Sequence, residues 1–498
     1  MKTIRISIDG PLYTRTAIGG RVVESLTRVG RLKETIKARQ IGIFGEISGP
    51  DPIDDSFMVG LRVFLSSSQL HPNRYPWSRT RRLITMGSSS STPKFTTQVL
   101  SCDPSSIHFP PGSDEPSINS PETLRALRAA AHHLKEKKQC VVFPTETVYG
   151  LGALALDPDA SLRIFTTKNR PPDNPLIVHV SSMAMLRRLL PPDYRIPKHY
   201  EALVKRFWPG PLTLIFPNTT GRVPDVITAG HPTVAIRMPS HQIARALIAL
   251  ADVPLAAPSA NSSGRPSPTR AEHVYDDLKD KVGIILDGGP CSVGLESTVV
   301  DGLHEDNNLR ILRPGGITVE DIEKGLAEGL IGSGVPIPKV LVHERDYRDE
   351  DMEQAPTTPG MKYRHYSPNV PVTLLCTHST PPQDTTLTSS PDYFSSLKDI
   401  PTTPRKPVKV GTLFLSDSPL QEFAKDVPGV EFRHFVLGSA SDPLTTAQRL
   451  FDGFLTLDKM GVDLIVIEEV EEDREGLAIM NRVRKAATES RWLRHPGP

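Results

Sequence analysis

Three stretches of this 498-residue chain, and two isolated arginines, concentrate the side chains that could do chemistry. Pro144-Thr-Glu-Thr-Val-Tyr-Gly-Leu-Gly152 puts two hydroxyls, a carboxylate and two glycines directly after the apolar run 140–143. Such a turn at a strand end suits ligand binding, and equally suits a bland connection held by side-chain-to-backbone bonds. Its Gly150-x-Gly152 lacks the third glycine of a dinucleotide fingerprint. Next, Lys168-Asn-Arg170 leads into Pro-Pro-Asp-Asn174-Pro-Leu-Ile-Val-His179. The prolines favour extended backbone, in which residues two apart share a side. Lys168 and Arg170 would then face an oligo-anion, a triphosphate or a carboxylate, the arginine offering a bidentate fork. A solvated charged loop is the competing reading, and a histidine inside an apolar run, such as His179, is more often a core residue than a catalyst. Pro258-Ser259-Ala-Asn261-Ser-Ser-Gly264-Arg-Pro-Ser267-Pro-Thr269 is dense in hydroxyls that could bind phosphate or ribose, or simply make a polar turn. Arg237 and Arg313 each close a strand-like run, where α/β proteins gather ligand groups, although a lone arginine there is commonly structural. The chain has no G-x-x-x-x-G-K-[ST], H-E-x-x-H, G-x-S-x-G or kinase motif set, so any use of ATP falls outside those classes.

These residues need a scaffold, and the pattern around them supplies one. Ser120-Pro121-Glu122 reads as a helix start, followed by Leu124, Leu127, Ala130 and Leu134 at helical spacing, with Lys135, Lys137 and Lys138 near the C-terminus. Strand-like runs at 176–180, 212–216, 234–238, 283–287, 297–301 and 309–312 alternate with helix-like ones at 200–207 and 242–250. This predicts an α/β or α+β domain over 115–335. Residues 336–369 read as a linker, and 370–498 as a smaller α/β domain. In the latter, strands are expected at 370–375, 408–415 and 462–467 and helices at 444–459 and 477–487, around a Ser/Thr/Pro-rich loop at 377–407.

Residues 1–100 read as a basic, poorly ordered extension, with 14 Lys/Arg against 7 Asp/Glu in 1–85 and a polar tract from Met86. A dispensable extension or mis-assigned start, an organellar targeting segment and a basic interaction arm are the three readings of it. Over the whole chain, 58 basic against 57 acidic residues leave a net charge of +1, which excludes a globally basic nucleic-acid coat or an acidic tail protein. The 48 prolines are close to twice the usual share of roughly 5%. No apolar stretch approaches the ~20 residues that cross a bilayer, so no membrane association is expected. Four scattered cysteines without a C-x-x-C pair argue against a disulfide framework or a zinc site, and no secretory core opens the chain. A cytoplasmic location is expected, with a mitochondrial fraction if the extension acts as a targeting segment.

Taken together, these segments resemble the threonylcarbamoyl-AMP synthases, the YrdC-like family, in its long two-domain form. The resemblance also draws on Ser297-Thr-Val-Val-Asp301, Leu312-Arg-Pro-Gly315, the linker text Pro359-Gly-Met-Lys-Tyr-Arg-His-Tyr-Ser-Pro368, and Gly476-Leu-Ala-Ile-Met-Asn-Arg482. It implies a YrdC-like twisted mixed open sheet with helices, plus a smaller C-terminal Rossmann-like α/β domain. The activity it implies joins L-threonine, bicarbonate and ATP into L-threonylcarbamoyl-AMP and pyrophosphate. A separate transferase system would then modify the adenosine 3′ of the anticodon in ANN-decoding tRNAs. Carried over residue by residue, Thr147, His179, Arg237, Ala257 and Ser297 would hold threonine. Arg170, Asn174, Thr233, Ser259, Asn261, Ser267 and Arg313 would hold ATP, which brings its own Mg2+, and Lys168 and Arg170 would act catalytically near the phosphates. Tyr363, His365 and Tyr366 would close over the nucleotide as a lid hinged at Gly360. Which group deprotonates threonine is left open, His179 serving at least to orient it. The alternatives are an RNA-binding module without ATP chemistry, with tRNA contact, and a carbamoyl-transfer unit for another substrate; the linker and second domain speak against the latter.

Overall fold

The computed structural model describes residues 95–343, 345–347, 365–401 and 407–494, and the backbone of 3–6, 12–18 and 21–27. Met1–Thr85 and Met86–Pro498 are separate compact units. In the first, Thr3–Ile6, Leu12–Ile18 and Arg21–Thr27 pair as an antiparallel meander. Gly19-Gly20 between the last two is the sequence signal of a two-residue hairpin. The polar tract at 86–94, Gly360 and Tyr363 lie outside the described residues.

The second unit is built on an eleven-stranded mixed sheet. Its order is Val340–Val342, Leu309–Arg313, Thr298–Asp301, Leu212–Pro217, Thr233–Arg237, Val178–His179, Leu255–Ala256, Gly150–Leu154, Val141–Phe143, Ile284–Asp287 and Gln98–Ser101. Parallel and antiparallel pairs mix through the middle of the sheet, where short strands bring loops from distant parts of the chain to one place. Gln98–Ser101 pairs parallel with Ile284–Asp287 as an edge strand. The extension expected over 1–100 therefore gives up its last residues to the sheet; only Leu100 of that strand is partly buried, too little for a periodic signal.

Local chemistry explains the flanking helices. Pro121–Lys135 begins with the Ser120 hydroxyl accepting from Thr123 N, a cap worth about 1 kcal/mol, and buries Leu127, Ala130 and Leu134. Asp157 caps Pro158–Lys168 in the same way, and Asn169 ends that helix in the left-handed conformation (φ 52°). That sharp stop turns the chain between Lys168 and Arg170.

The C-terminal region is a five-stranded, wholly parallel sheet, ordered Val430–Val436, Val408–Phe414, Leu464–Glu468, Val372–Cys376 and Glu489–Trp492. Two of its strands, Val430–Val436 and Glu489–Trp492, are additional to those expected, and the loop predicted at 377–407 contains a helix, Ser390–Ser396, capped by Ser389. Its helix Pro443–Lys459 packs on the loops of the mixed sheet through Arg270–Asp452 (3.0 Å), Arg265–Asp458 (2.8 Å) and Lys459–Asp276 (2.8 Å). Gly294 (φ +78°) makes that approach, since a Cβ there would stand 2.4 Å from the Gln448 backbone.

Candidate functional site

The strand Val141–Phe143 ends at Pro144, and the turn after it is held from within. Thr145 Oγ1 donates to the Val148 carbonyl at 2.6 Å and lies 2.8 Å from Thr147 Oγ1. Its glycines answer packing rather than phosphate: a Cβ on Gly152 would sit 2.5 Å from the Phe143 ring. The Glu146 carboxylate is buried; one oxygen accepts from Arg237 Nη2 at 2.6 Å and the other from the N–H groups of Ser240 and His241. Arg237 also donates from Nη1 to Thr147 Oγ1 (2.9 Å) and from Nε to the Gly210 carbonyl (3.2 Å). Of the five guanidinium donors, three are thus engaged, leaving one on each terminal nitrogen. That pair matches a carboxylate fork.

Sheet register extends this centre sideways. Arg237 stands opposite His179 on one neighbouring strand and Thr213 on the other. The Thr213 and Ser297 hydroxyls are 2.7 Å apart, and Arg313 Nη2 donates to Ser297 Oγ (3.2 Å) and its carbonyl (2.8 Å). Ala257 N–H donates to the Ile177 carbonyl, placing that backbone beside the His179 strand. Burial, with Arg237 nearby, depresses the His179 imidazole to about 3, and Nδ1 lies 3.2 Å from the Ile177 carbonyl. His179 is therefore neutral and a very weak base. Thr147, His179, Arg237, Ala257 and Ser297 form one contiguous set. Thr233 opens the Arg237 strand, about 13 Å away by strand rise.

A second set surrounds Lys168, whose ammonium donates to the carbonyls of Ser259 (2.5 Å) and Asn261, while its own carbonyl accepts from Ser263 N–H. Burial, then the charge of Arg170, pushes Lys168 well below the ordinary lysine range. Arg170 donates to the carbonyls of Asn174 (3.2 Å) and Pro175 (2.9 Å), closing the loop on itself. The Oδ1 atoms of Asn174 and Asn261 are buried with no hydrogen-bond partner. Orphaned acceptors of this kind take a donor from water or from a ligand.

Glu296 joins the two sets. It is buried, yet its carboxyl lies below the usual range, because Arg482 and Arg313 together with Ser267 outweigh the burial that would raise it. Ser267 Oγ donates to Oε1 at 2.5 Å, and Arg482 Nε donates to Oε2 at 3.1 Å. Tyr366, in the left-handed conformation (φ 67°), packs on Phe451 with ring centroids 5.2 Å apart. Its hydroxyl is raised by burial and by Glu296, and Arg482, Arg313 and Arg170 oppose that rise. His365 meets Tyr366 edge-on at 5.7 Å. Ser367 N–H then bonds the Gly264 carbonyl, and Asn369 donates twice to Asp458, pinning the end of the linker to both sheets.

Thr213 and Glu296 escaped the sequence reading, and Glu146 and Arg482, present in its motifs, were given no role there. Arg482 carried a usable signal. It shares the helix face of Ala478, Ile479, Val483 and Ala486, all buried, and a charge on an apolar stripe needs a buried partner.

Comparison with known proteins bears on this geometry. Residues 134–315 match the Sua5/YciO/YrdC family model, described as "Telomere recombination", and residues 317–488 match "Threonylcarbamoyl-AMP synthase, C-terminal domain". The threonylcarbamoyl-AMP synthase of Schizosaccharomyces pombe is 44% identical over 393 residues, covering 75% of this chain and 90% of that one. The Pyrococcus abyssi enzyme of the same name is 42% identical over 362 residues, 72% and 94% of the two chains. The crystal structure of P. abyssi Sua5 complexed with L-threonine superposes with a TM-score of 0.60 at 37% identity, covering 80% of this chain and 100% of that one.

Proposed function

The chain belongs to the threonylcarbamoyl-AMP synthase family in its two-domain form, and from that premise we propose how its own residues make the adenylate from L-threonine, bicarbonate and ATP. The observation that carries the reading is Arg237, buried and with two unspent N–H groups, separated from Ser297 only by the strand of Thr213 and close to a second cationic set built on Lys168, Arg170 and Arg313. Threonine's carboxylate takes the Arg237 fork, with Thr147, Ser297, His179 and the Ala257 backbone around its remaining atoms. The triphosphate takes Arg170 and Arg313, with Lys168 beside it, while the orphaned Asn174 and Asn261 oxygens accept from the nucleoside. Thr233, Ser259 and Ser267 complete that side, and Tyr363, His365 and Tyr366 cover it. Magnesium arrives with ATP as part of the substrate.

The chemistry follows from burial and charge. Threonine's amine must be neutral to add to carbon dioxide or bicarbonate. His179, at about 3, lies some five units below an ordinary α-amine and cannot take its proton to a useful extent. It therefore orients the amine, which loses its proton before it is committed. Addition to bicarbonate forms the N–C bond and releases water. A carbamate oxygen then attacks the α-phosphorus, and the bond to pyrophosphate breaks. Cations fixed before the reaction stabilise the charge on both carbamate and leaving group, and exclusion of water protects the carbamate in between. We further assign the product to threonylcarbamoyl modification of ANN-decoding tRNA by a separate transferase, and place the enzyme in the cytosol with a mitochondrial fraction. Among the described residues no helix is long and apolar enough to cross a membrane.

The test is pyrophosphate release by the full chain. Release that requires threonine and bicarbonate together, and is lost in Arg170→Ala, supports the synthase. ATP-independent tRNA binding with a steep salt dependence and no release supports the RNA-binding alternative instead.

A further inference from the structure

Arg482 lies on the helix Arg474–Ala486 of the C-terminal domain, is 0% exposed, and reaches out of its own domain. Its Nε and Nη2 stand 3.1 and 3.0 Å from Glu296 Oε2, Nη1 donates to the carbonyls of Pro314 and Ala478, and the guanidinium carbon lies 5.8 Å from the Tyr366 ring centroid. If this contact served only to hold two domains together, well-packed apolar residues would do so as well or better, because desolvating both charges offsets most of their attraction. What an ion pair adds is direction, and the direction is visible at the other carboxylate oxygen. Glu296 Oε1 takes the Ser267 hydroxyl at 2.5 Å.

An ionised carboxylate only accepts, so in this contact Ser267 is the donor and its one hydrogen is spent. What remains on that oxygen for a ligand is a pair of lone pairs. Phosphate oxygens are acceptors too and gain nothing there. A ribose hydroxyl or the adenine amino group, both neutral donors, would.

We propose that Arg482 is a positioning residue for the nucleotide: acting through Glu296, it fixes the Ser267 hydroxyl so that Ser267 accepts a hydrogen bond from a donor group on the nucleoside, and the C-terminal domain thereby contributes to the choice of nucleotide. This deepens the reading of Ser267 as an ATP-side residue and rests on it.

The experiment measures kcat/KM of the full chain for ATP, 2′-deoxy-ATP, 3′-deoxy-ATP and inosine triphosphate, in the wild type, Ser267→Ala, Arg482→Met and Arg482→Lys. The wild type should reject the analogue lacking the donor that Ser267 accepts by a factor that includes about tenfold from that one hydrogen bond, beside any preference set by Asn174 and Asn261. Which analogue it rejects separates the ribose from the amino group. Ser267→Ala and Arg482→Met should both remove most of that tenfold share while KM for threonine moves by less than about threefold, and Arg482→Lys should recover part of it. Discrimination against all three analogues that is undiminished in Ser267→Ala overturns the proposal. So does an Arg482→Met chain whose affinities for all nucleotides and for threonine fall together, the pattern of simple loosening. If Arg482→Met does not fold, Ser267→Ala and Arg482→Lys decide on the same readout. A wild type that makes no adenylate from ATP at all fails the functional reading instead, and is recognisable as such.

Discussion

The two sheets of the second unit treat buried charge in opposite ways. Around the mixed-sheet site, Arg237, Arg313 and Lys168 face the carboxylates Glu146 and Glu296, while the sheet's third buried carboxylate, Asp301, accepts from Leu303 N–H at the far end of its strand, and acceptors on Asn174 and Asn261 are left without donors. In the parallel sheet, the carboxyl ends of the strands, where such folds take ligands, are filled by the protein's own side chains. Glu469 Oε2 accepts from three successive N–H groups, Thr377 (3.0 Å), His378 (3.0 Å) and Ser379 (2.9 Å). Such a nest elsewhere cradles an anion. Next to it, Glu468 takes the Leu415 N–H. The mixed-sheet site keeps unspent acceptors beside its cations; the parallel sheet turns Glu468 and Glu469 onto its own backbone N–H groups. The difference fits a parallel-sheet domain that meets its neighbour through Arg482 and the helix Pro443–Lys459.

The sharpest way to break this contrast is to remove a charge from each region. Arg237→Met strands the Glu146 carboxylate and deletes the carboxylate fork. It should abolish threonine-dependent pyrophosphate release by a thousandfold or more and cost about 3–5 kcal/mol in urea unfolding. Retained turnover would show that Arg237 is structural only.

In the parallel sheet the expected effects are on stability alone. Burial raises the Glu468 carboxyl from 4.5 to about 7, and nearby Asp417 adds to the rise. The folded chain thus keeps a proton that the unfolded chain has lost. That contribution is complete below pH 4.5 and disappears as pH climbs to 7, a difference on the order of 3 kcal/mol. Glu468→Gln should flatten the fall in stability between pH 5 and 8 and leave kcat unchanged; an unaltered slope would contradict it. Glu469→Ala should cost about 2 kcal/mol by leaving three N–H groups unsatisfied, again with KM for ATP unchanged. A large change in KM would mean that the parallel sheet does bind nucleotide.

The smallest effect concerns His179. With its imidazole at about 3, the pH profile of kcat/KM for threonine should show no inflection near 6.5, and the rate should climb toward the pKa of the substrate amine. An inflection near 6.5 that vanishes in His179→Gln would make it the base.

Much of this was legible in the chain itself, for reasons that differ by region. Ser120 and Asp157 announce helices through capping, and the strand cores at 141–143 and 464–467 are uniformly apolar because both faces are covered. The motif segments could be matched in order, and the structure brings Thr147 in its turn, Ser297 just before its strand, and His179, Arg237 and Arg313 on strands of one sheet into one neighbourhood. Edge strands were harder: Gln98–Ser101 and Glu489–Trp492 bury too few residues to impose a period. Glu296 and Arg482 were hidden for another reason. Their meaning lies in each other, 186 positions apart, and no local pattern encodes a pairing at that distance.

The most direct test of the account is to follow the carbon. Full-length chain, ATP and L-threonine are incubated with isotope-labelled bicarbonate, and the nucleotide products are analysed by mass spectrometry. The account predicts one labelled carbon in each threonylcarbamoyl-AMP, formed in step with pyrophosphate and absent in Arg237→Met. AMP and pyrophosphate appearing without labelled adenylate, or label incorporation that does not need threonine, would contradict it.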